Sequence, residues 1–117
     1  MKRLVLLSLA ALAACGNDWR TQATVDAEDL VKKQIPDPSL RFSKVQFTGN
    51  RKSGQTCGHY EIVTADGSHI DNRFIVFIDG GRGQNPYTDD PSTPYPWDKD
   101  DFDLNWSTQC VNLGYKE

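Results

Sequence analysis

The alternation of apolar and polar positions divides the 117-residue chain into an apolar leader, one helix, three strands, a proline-rich stretch and a C-terminal amphipathic segment. After a polar, aperiodic stretch at 16–23, Ala27, Val31 and Ile35, with Leu30 beside them, recur at helical spacing and predict a helix near 25–34. Thr24 or Asp26 is placed to cap it, with Asp26, Glu28 and Asp29 in its first turn and Lys32 and Lys33 in its last. Pro36 and Pro38 end it, since neither can donate a helical hydrogen bond. Residues 41–47 read as a first strand, with Val45 and Phe47 on one face. Strands at 57–65 and 70–79 flank Asp66-Gly67, a hairpin signal, and a two-residue turn there pairs Glu61 with Asn72 and His59 with Phe74. Phe74 to Ile78 is apolar on both faces, as a central strand requires.

Residues 80–101 contain Pro86, Pro91, Pro94 and Pro96, three glycines and five aspartates, and read as a long surface loop without helix or strand. Phe102, Trp106, Cys110 and Leu113 then return to helical spacing, and Gly114 is placed to stop a C-terminal helix or extended segment. The expected fold is α+β: an N-terminal helix packed on a small three- or four-stranded antiparallel sheet, with one disulfide to the C-terminal segment. The organisation is a signal peptide at 1–14, a tether at 15–23 and a single α+β domain over 24–117.

The leader refines this picture. Lys2 and Arg3 precede a mostly apolar run of about eleven residues, Leu4 to Ala14, whereas a bilayer-spanning helix takes roughly twenty. Leu12-Ala13-Ala14-Cys15 resembles the lipobox of bacterial lipoproteins. That resemblance implies cleavage before Cys15 and acylation of its thiol, with two or three chains anchoring firmly where one holds only marginally. The alternative is an ordinary secretory signal that happens to contain a cysteine. Gly16, in place of an aspartate, leans toward the outer membrane and a periplasm-facing domain. Trp19 is placed for the lipid interface or for packing on the domain.

Removing residues 1–14 takes Lys2 and Arg3 and leaves 103 residues with 11 basic and 16 acidic side chains, a formal −5. That balance argues against nucleic acid as a partner and against electrostatic adhesion to anionic lipid. Cys57 and Cys110 are then the remaining cysteines, and an exported chain with two is expected to pair them. A free-thiol pair or a two-cysteine metal site is the alternative.

Several groups invite a chemical reading. His59, Glu61, His69 and Asp71 crowd one hairpin, but the two-residue turn puts the first two and the last two on opposite faces, dividing any ligand set. The run Asp98 to Asp103, with Asp89 and Asp90, offers oxygen ligands to calcium but lacks the glycine and distal glutamate of an EF-hand; helix capping accounts for the same residues. Asp79 to Asn85 is glycine-rich yet has neither a dinucleotide fingerprint nor a P-loop lysine, and reads as a turn. No serine lies in a nucleophile elbow. The expectation is no enzyme, no cofactor and no resident metal.

The rings of the proline-rich stretch are the better candidates for recognition. Tyr87, Tyr95 and Trp97 are the expected partner-binding residues, with Trp106 in the core. Their alternative role is packing over a sheet edge.

Asp37-Pro38-Ser39-Leu40-Arg41-Phe42, then Cys57-Gly58 and Phe74-Ile75-Val76, resembles small bacterial envelope proteins of unassigned function over residues 27–78. The resemblance implies a helix-plus-hairpin domain and transfers no active site. Gly58 is expected to permit close approach at the disulfide. The expected function is a lipid-anchored, non-enzymatic binding or accessory module for an envelope protein, of inhibitor or immunity type. The alternatives are a structural spacer of the outer membrane and, less favoured, a small hydrolase.

Overall fold

The computed structural model describes residues 19–93 and 97–117. The expected signal peptide at 1–14, the expected lipidation position Cys15 and the expected partner-binding residue Tyr95 lie outside the described residues. Helix α1 spans Trp19–Gln34 and is followed by strands β1 (Arg41–Thr48), β2 (Gln55–Val63) and β3 (His69–Asp79). Two short strands, β4 (Arg82–Gly83) and β5 (Tyr87–Thr88), precede helix α2 (Lys99–Asn105), a π-helical turn at Trp106–Cys110 and a 3-10 turn at Val111–Leu113. All pairings in the sheet are antiparallel, in the order β1-β2-β3-β4, with β5 also on β3. The fold is the expected α+β arrangement, with a disulfide joining Cys57 on β2 to Cys110.

Helix α1 begins six residues before the expected start at Val25, so Trp19 to Ala23 belong to the helix and not to the tether. Trp19, Ala23, Ala27 and Val31 fall at intervals of four, and the last two are buried against the sheet. Asp26, Glu28 and Asp29 therefore lie in mid-helix, and neither Thr24 nor Asp26 caps. At the other end Asp37 Oδ1 accepts from the Ser39 amide (2.8 Å) and hydroxyl (2.7 Å), an Asx turn after the proline stop. The Ser39 hydroxyl in turn accepts from the Val63 amide, capping the end of β2.

The two faces of the sheet carry different cores. On one, α1 covers Tyr60, Phe74 and Val76, with Phe42 and Val45 contributed by β1. On the other, the C-terminal segment covers Cys57 and Ile75 with Phe102, Trp106, Cys110 and Tyr115. Phe74, Ile75 and Val76 are all essentially inaccessible, as the central position of β3 demands.

Gly58 lies on the α1 side. A Cβ there would meet the Phe74 ring at 2.9 Å and Val45 Cγ2 at 3.0 Å, so the glycine serves ring packing and not the disulfide. Opposite Gly58, β1 bulges between Ser43 and Gln46, where Lys44 adopts φ +53°.

Three local departures from the sequence expectation have simple causes. The β2–β3 connection is a three-residue loop, Ala65-Asp66-Gly67: Thr64 N–H donates to Ser68 O, Gly67 N–H to Thr64 O, and Gly67 takes φ +86°. The loop expected over 80–101 contains β4 and β5, because a left-handed Gly80-Gly81 turn folds β4 back on β3 and Tyr87-Thr88 fits between prolines as a two-residue strand. The π turn up to Cys110 and the 3-10 turn past it rotate the chain. Leu113 is left half exposed, and Tyr115 takes the buried place expected for it. Gly114 stops the helix at φ +112°, with Tyr115 N–H on Cys110 O and Gly114 N–H on Val111 O, a Schellman closure.

Candidate functional site

The face opposite α1 carries a continuous seam of rings. From one edge, Phe77 lies 6.1 Å from Tyr87, and Tyr87 stacks on Trp97 with centroids 4.0 Å apart and planes 14° from parallel. Trp97 meets Phe102 at 6.2 Å, Phe102 stacks on Trp106 at 6.1 Å, and Trp106 meets Tyr115 edge-on at 4.7 Å. Tyr87 and Trp97 are half-buried, whereas Phe102, Trp106 and Tyr115 are buried. The stack at the open end thus rests on a rigid floor that includes the disulfide, since Cys57 and Cys110 belong to the same cluster.

Arg73 organises the acidic residues beside the seam. Its guanidinium lies 5.0 Å from the Phe102 ring and 5.3 Å from Trp106. Nε donates to Asp89 Oδ2 at 2.9 Å and a terminal nitrogen donates to Asp103, while the Arg73 amide donates to Asp89 Oδ1 at 2.9 Å. Burial works against the charge, but hydrogen bonds donated to Asp103 and Asp89 outweigh it and raise the Arg73 pKa further. The same contact with Arg73, helped by Lys99, holds the Asp103 carboxyl below its ordinary range. Composition and periodicity gave no sign of this hub. Strand alternation does: Arg73 shares its face with Ile75 and Phe77, which places an arginine over a core.

Four of the carboxylates considered for calcium, Asp89, Asp90, Asp98 and Asp103, have other work. Asp98 caps α2 by accepting from the Asp101 amide at 2.9 Å, and Asp90 accepts from Ser92. Asp89 and Asp103 hold Arg73. Among the described residues no three His, Cys, Asp or Glu side chains come together to hold a metal ion.

The hairpin residues are a correction. With the three-residue loop the register is Glu61 opposite Asp71, Val63 opposite His69 and His59 opposite Arg73. His59, Glu61, His69 and Asp71 consequently share one face, where a two-residue turn would have divided them. Glu61 Oε1 lies 2.8 Å from His69 Nδ1, a diagonal cross-strand pair at the exposed tip. His59 turns elsewhere, with Nε2 2.9 Å from the Glu117 carboxylate and its ring 5.6 Å from Trp106.

No known protein family, curated protein or solved structure matches this chain. Geometry is therefore the guide to what the surface does. An open cleft of about 440 Å³ runs between the α1 C-terminus and the turn at 90–93, lined by Gln34, Pro36, Asp37, Tyr60, Ile62 and Thr93. A smaller one of about 190 Å³ lies under the start of α1, beside Trp19, Asp26, Arg51 and Thr56. Ser92 and Asp90 both line the larger cleft, where the Ser92 hydroxyl donates to Asp90 Oδ1 at 2.8 Å as part of the local turn. Tyr87 and Trp97 are brought together by the fold, whereas Tyr95, the third expected member, lies outside the described residues.

Proposed function

We propose that this chain is an exported, lipid-anchored envelope domain that binds a protein partner, without catalysis, through the Tyr87–Trp97 stack. The observation that carries the reading is the Cys57–Cys110 bond at the centre of the second core, where both cysteines are fully buried. A fold dependent on that bond needs an oxidising compartment, which agrees with a leader ending at a third cysteine, Cys15. The stack supports recognition because its rings are already ordered by Phe77 and Phe102, so a partner meets them at low conformational cost. Exposed Asp98, Asp100 and Asp101 beside it favour a partner with a basic surface, as an inhibitor or immunity protein would meet.

The test has two arms in the native organism. Mass spectrometry of the mature amino terminus should find acylated Cys15, and Cys15→Ser should release the protein from the membrane fraction. A photo-crosslinking residue at Tyr87 should capture an envelope protein that the same residue at Val25, exposed on α1, does not. Capture from neither position, or equally from both, sinks the binding surface.

A further inference from the structure

The formal charge of the domain is negative, but it is unevenly placed. The end of the molecule at which α1 starts also holds the β1–β2 loop and the β3–β4 turn, tied together by the Gly81 amide on Lys52 O. The loop, Gly49-Asn50-Arg51-Lys52-Ser53-Gly54, has two cations and no acid. Arg20 in the first turn of α1 and Arg82 beyond the glycine turn add two more, against Asp79, Asp26 beside Trp19 and Arg51, and Asp18 next to Trp19 in sequence. Arg20, Arg51, Lys52 and Arg82 are all exposed. The opposite end, around the β2–β3 loop, carries Glu61, Asp66 and Asp71.

At the basic end the cations surround a ring. The Arg20 guanidinium lies 4.6 Å from the Trp19 centroid and that of Arg51 5.8 Å from it, while Phe47 meets the same indole edge-on at 5.0 Å. Trp19 is half-buried, so one part of the indole packs on β1 and another reaches the surface. An indole flanked by guanidinium groups suits a membrane interface, where the ring sits at headgroup depth and the cations meet phosphate. Position reinforces the chemistry: Trp19 lies four positions after Cys15, a reach of at most about 14 Å in extended chain.

We infer that Trp19, Arg20, Arg51 and Lys52 form a docking surface for anionic phospholipid headgroups, which seats this end of the domain on the bilayer and turns the Tyr87–Trp97 face outward along it. The inference rests on acylation of Cys15, which brings this end to the membrane. Whole-chain charge argued against electrostatic contact with lipid; its distribution reverses that argument locally.

The acylated protein, purified in detergent, is reconstituted into vesicles of phosphatidylglycerol and phosphatidylethanolamine, or of phosphatidylcholine alone, each with brominated acyl chains. Mass of the amino terminus reads the anchor, and quenching of tryptophan fluorescence reads the contact. Trp19→Phe identifies its share, because Trp97 and Trp106 lie on the other side of the sheet. Quenching of Trp19 should be stronger with phosphatidylglycerol and weaken in high salt, and Arg20→Gln and Arg51→Gln should each lower the ratio of docked to undocked molecules about five-fold. With Cys15 acylated, equal quenching in both vesicles or none from Trp19 overturns the docking surface alone. An unacylated Cys15 overturns the anchor and the docking surface together.

Discussion

Asp89 receives both the main-chain amide and the guanidinium Nε of Arg73, each at 2.9 Å, and so acts for β3 as a neighbouring strand would. β5 ends at Thr88, and the carboxylate continues the ladder one residue further with a side chain in place of a carbonyl.

Removing that carboxylate should therefore cost more than a surface ion pair. The Arg73 and Asp89 side chains are only 21% and 16% exposed, and the arginine left behind would face two rings and one remaining acid. Asp89→Ala is expected to destabilise by about 2–3 kcal/mol, read as a lower urea midpoint with unchanged slope. Arg73→Lys should recover little, because an ammonium cannot lie flat over Phe102 and Trp106 while reaching both Asp89 and Asp103. A midpoint within error of the parent for Asp89→Ala would show that the hub contributes nothing to stability.

Two glycines separate close packing from backbone conformation. Gly58→Ala would drive a methyl into the Phe74 ring and Val45, at a cost of about 1–3 kcal/mol. Gly67→Ala meets no atom within 4 Å but must hold φ +86°, which costs an L-residue about 1–2 kcal/mol. Gly67→Asn should regain part of that loss, since asparagine tolerates the left-handed region, whereas no residue with a Cβ restores Gly58. Equal melting temperatures for Gly58→Ala and the parent would refute the packing assignment.

Much of this architecture was legible in the chain. Val31 and Ala27 marked one face of α1, Phe74 to Val76 marked the central strand, and Phe102, Trp106 and Cys110 marked the stripe beneath the second core. The early start of α1 was also written in the sequence, because Trp19 and Ala23 extend the spacing of Ala27 and Val31, but polar neighbours hid it. The hairpin failed for a different reason. Asp66-Gly67 suits a two-residue turn and equally a three-residue loop with glycine last, and one residue of difference exchanges the faces of every side chain on β3 relative to β2. The pairing of Arg73 with Asp89 and Asp103 was not legible, since it joins elements 16 and 30 residues apart without any periodic mark.

The disulfide closes a loop between positions 53 residues apart, and the chain-entropy argument assigns it about 4 kcal/mol. Domains of this size hold about 5–15 kcal/mol in all. Cys57→Ala/Cys110→Ala should accordingly lose a large part of its stability and unfold at a lower urea concentration than the oxidised parent. Both sulfurs lie in the cluster with Ile75 and Trp106, so the variant should also expose Trp106 and shift its fluorescence to the red. A double variant with the parent's midpoint would remove the case for an oxidising compartment.

Stability should fall at both ends of the pH scale, by opposite signs. Ser39 hydrogen bonds hold Asp37 low, those of Thr64 and Ser68 hold Asp66 low, and Arg73 holds Asp103 low, all relative to 3.8. Folded values below unfolded ones mean stabilisation that is present above about pH 4 and is lost as pH falls through the folded values. At the alkaline end, burial pushes Tyr60 and Tyr115 up to about 12 from 10. Here the folded state holds its protons more tightly, so the contribution is whole below pH 10 and disappears between 10 and about 12. Among the described residues both hydroxyls are buried without a hydrogen-bond partner, but Thr88 and Asn72 pull the Tyr60 pKa back down and nothing does so for Tyr115, which therefore offers the sharper test. Tyr115→Phe should leave stability at pH 7 unchanged or slightly higher and flatten the alkaline limb of a urea-midpoint profile. A steeper limb, or a loss at neutral pH, would mean that the hydroxyl makes a contact the fold depends on.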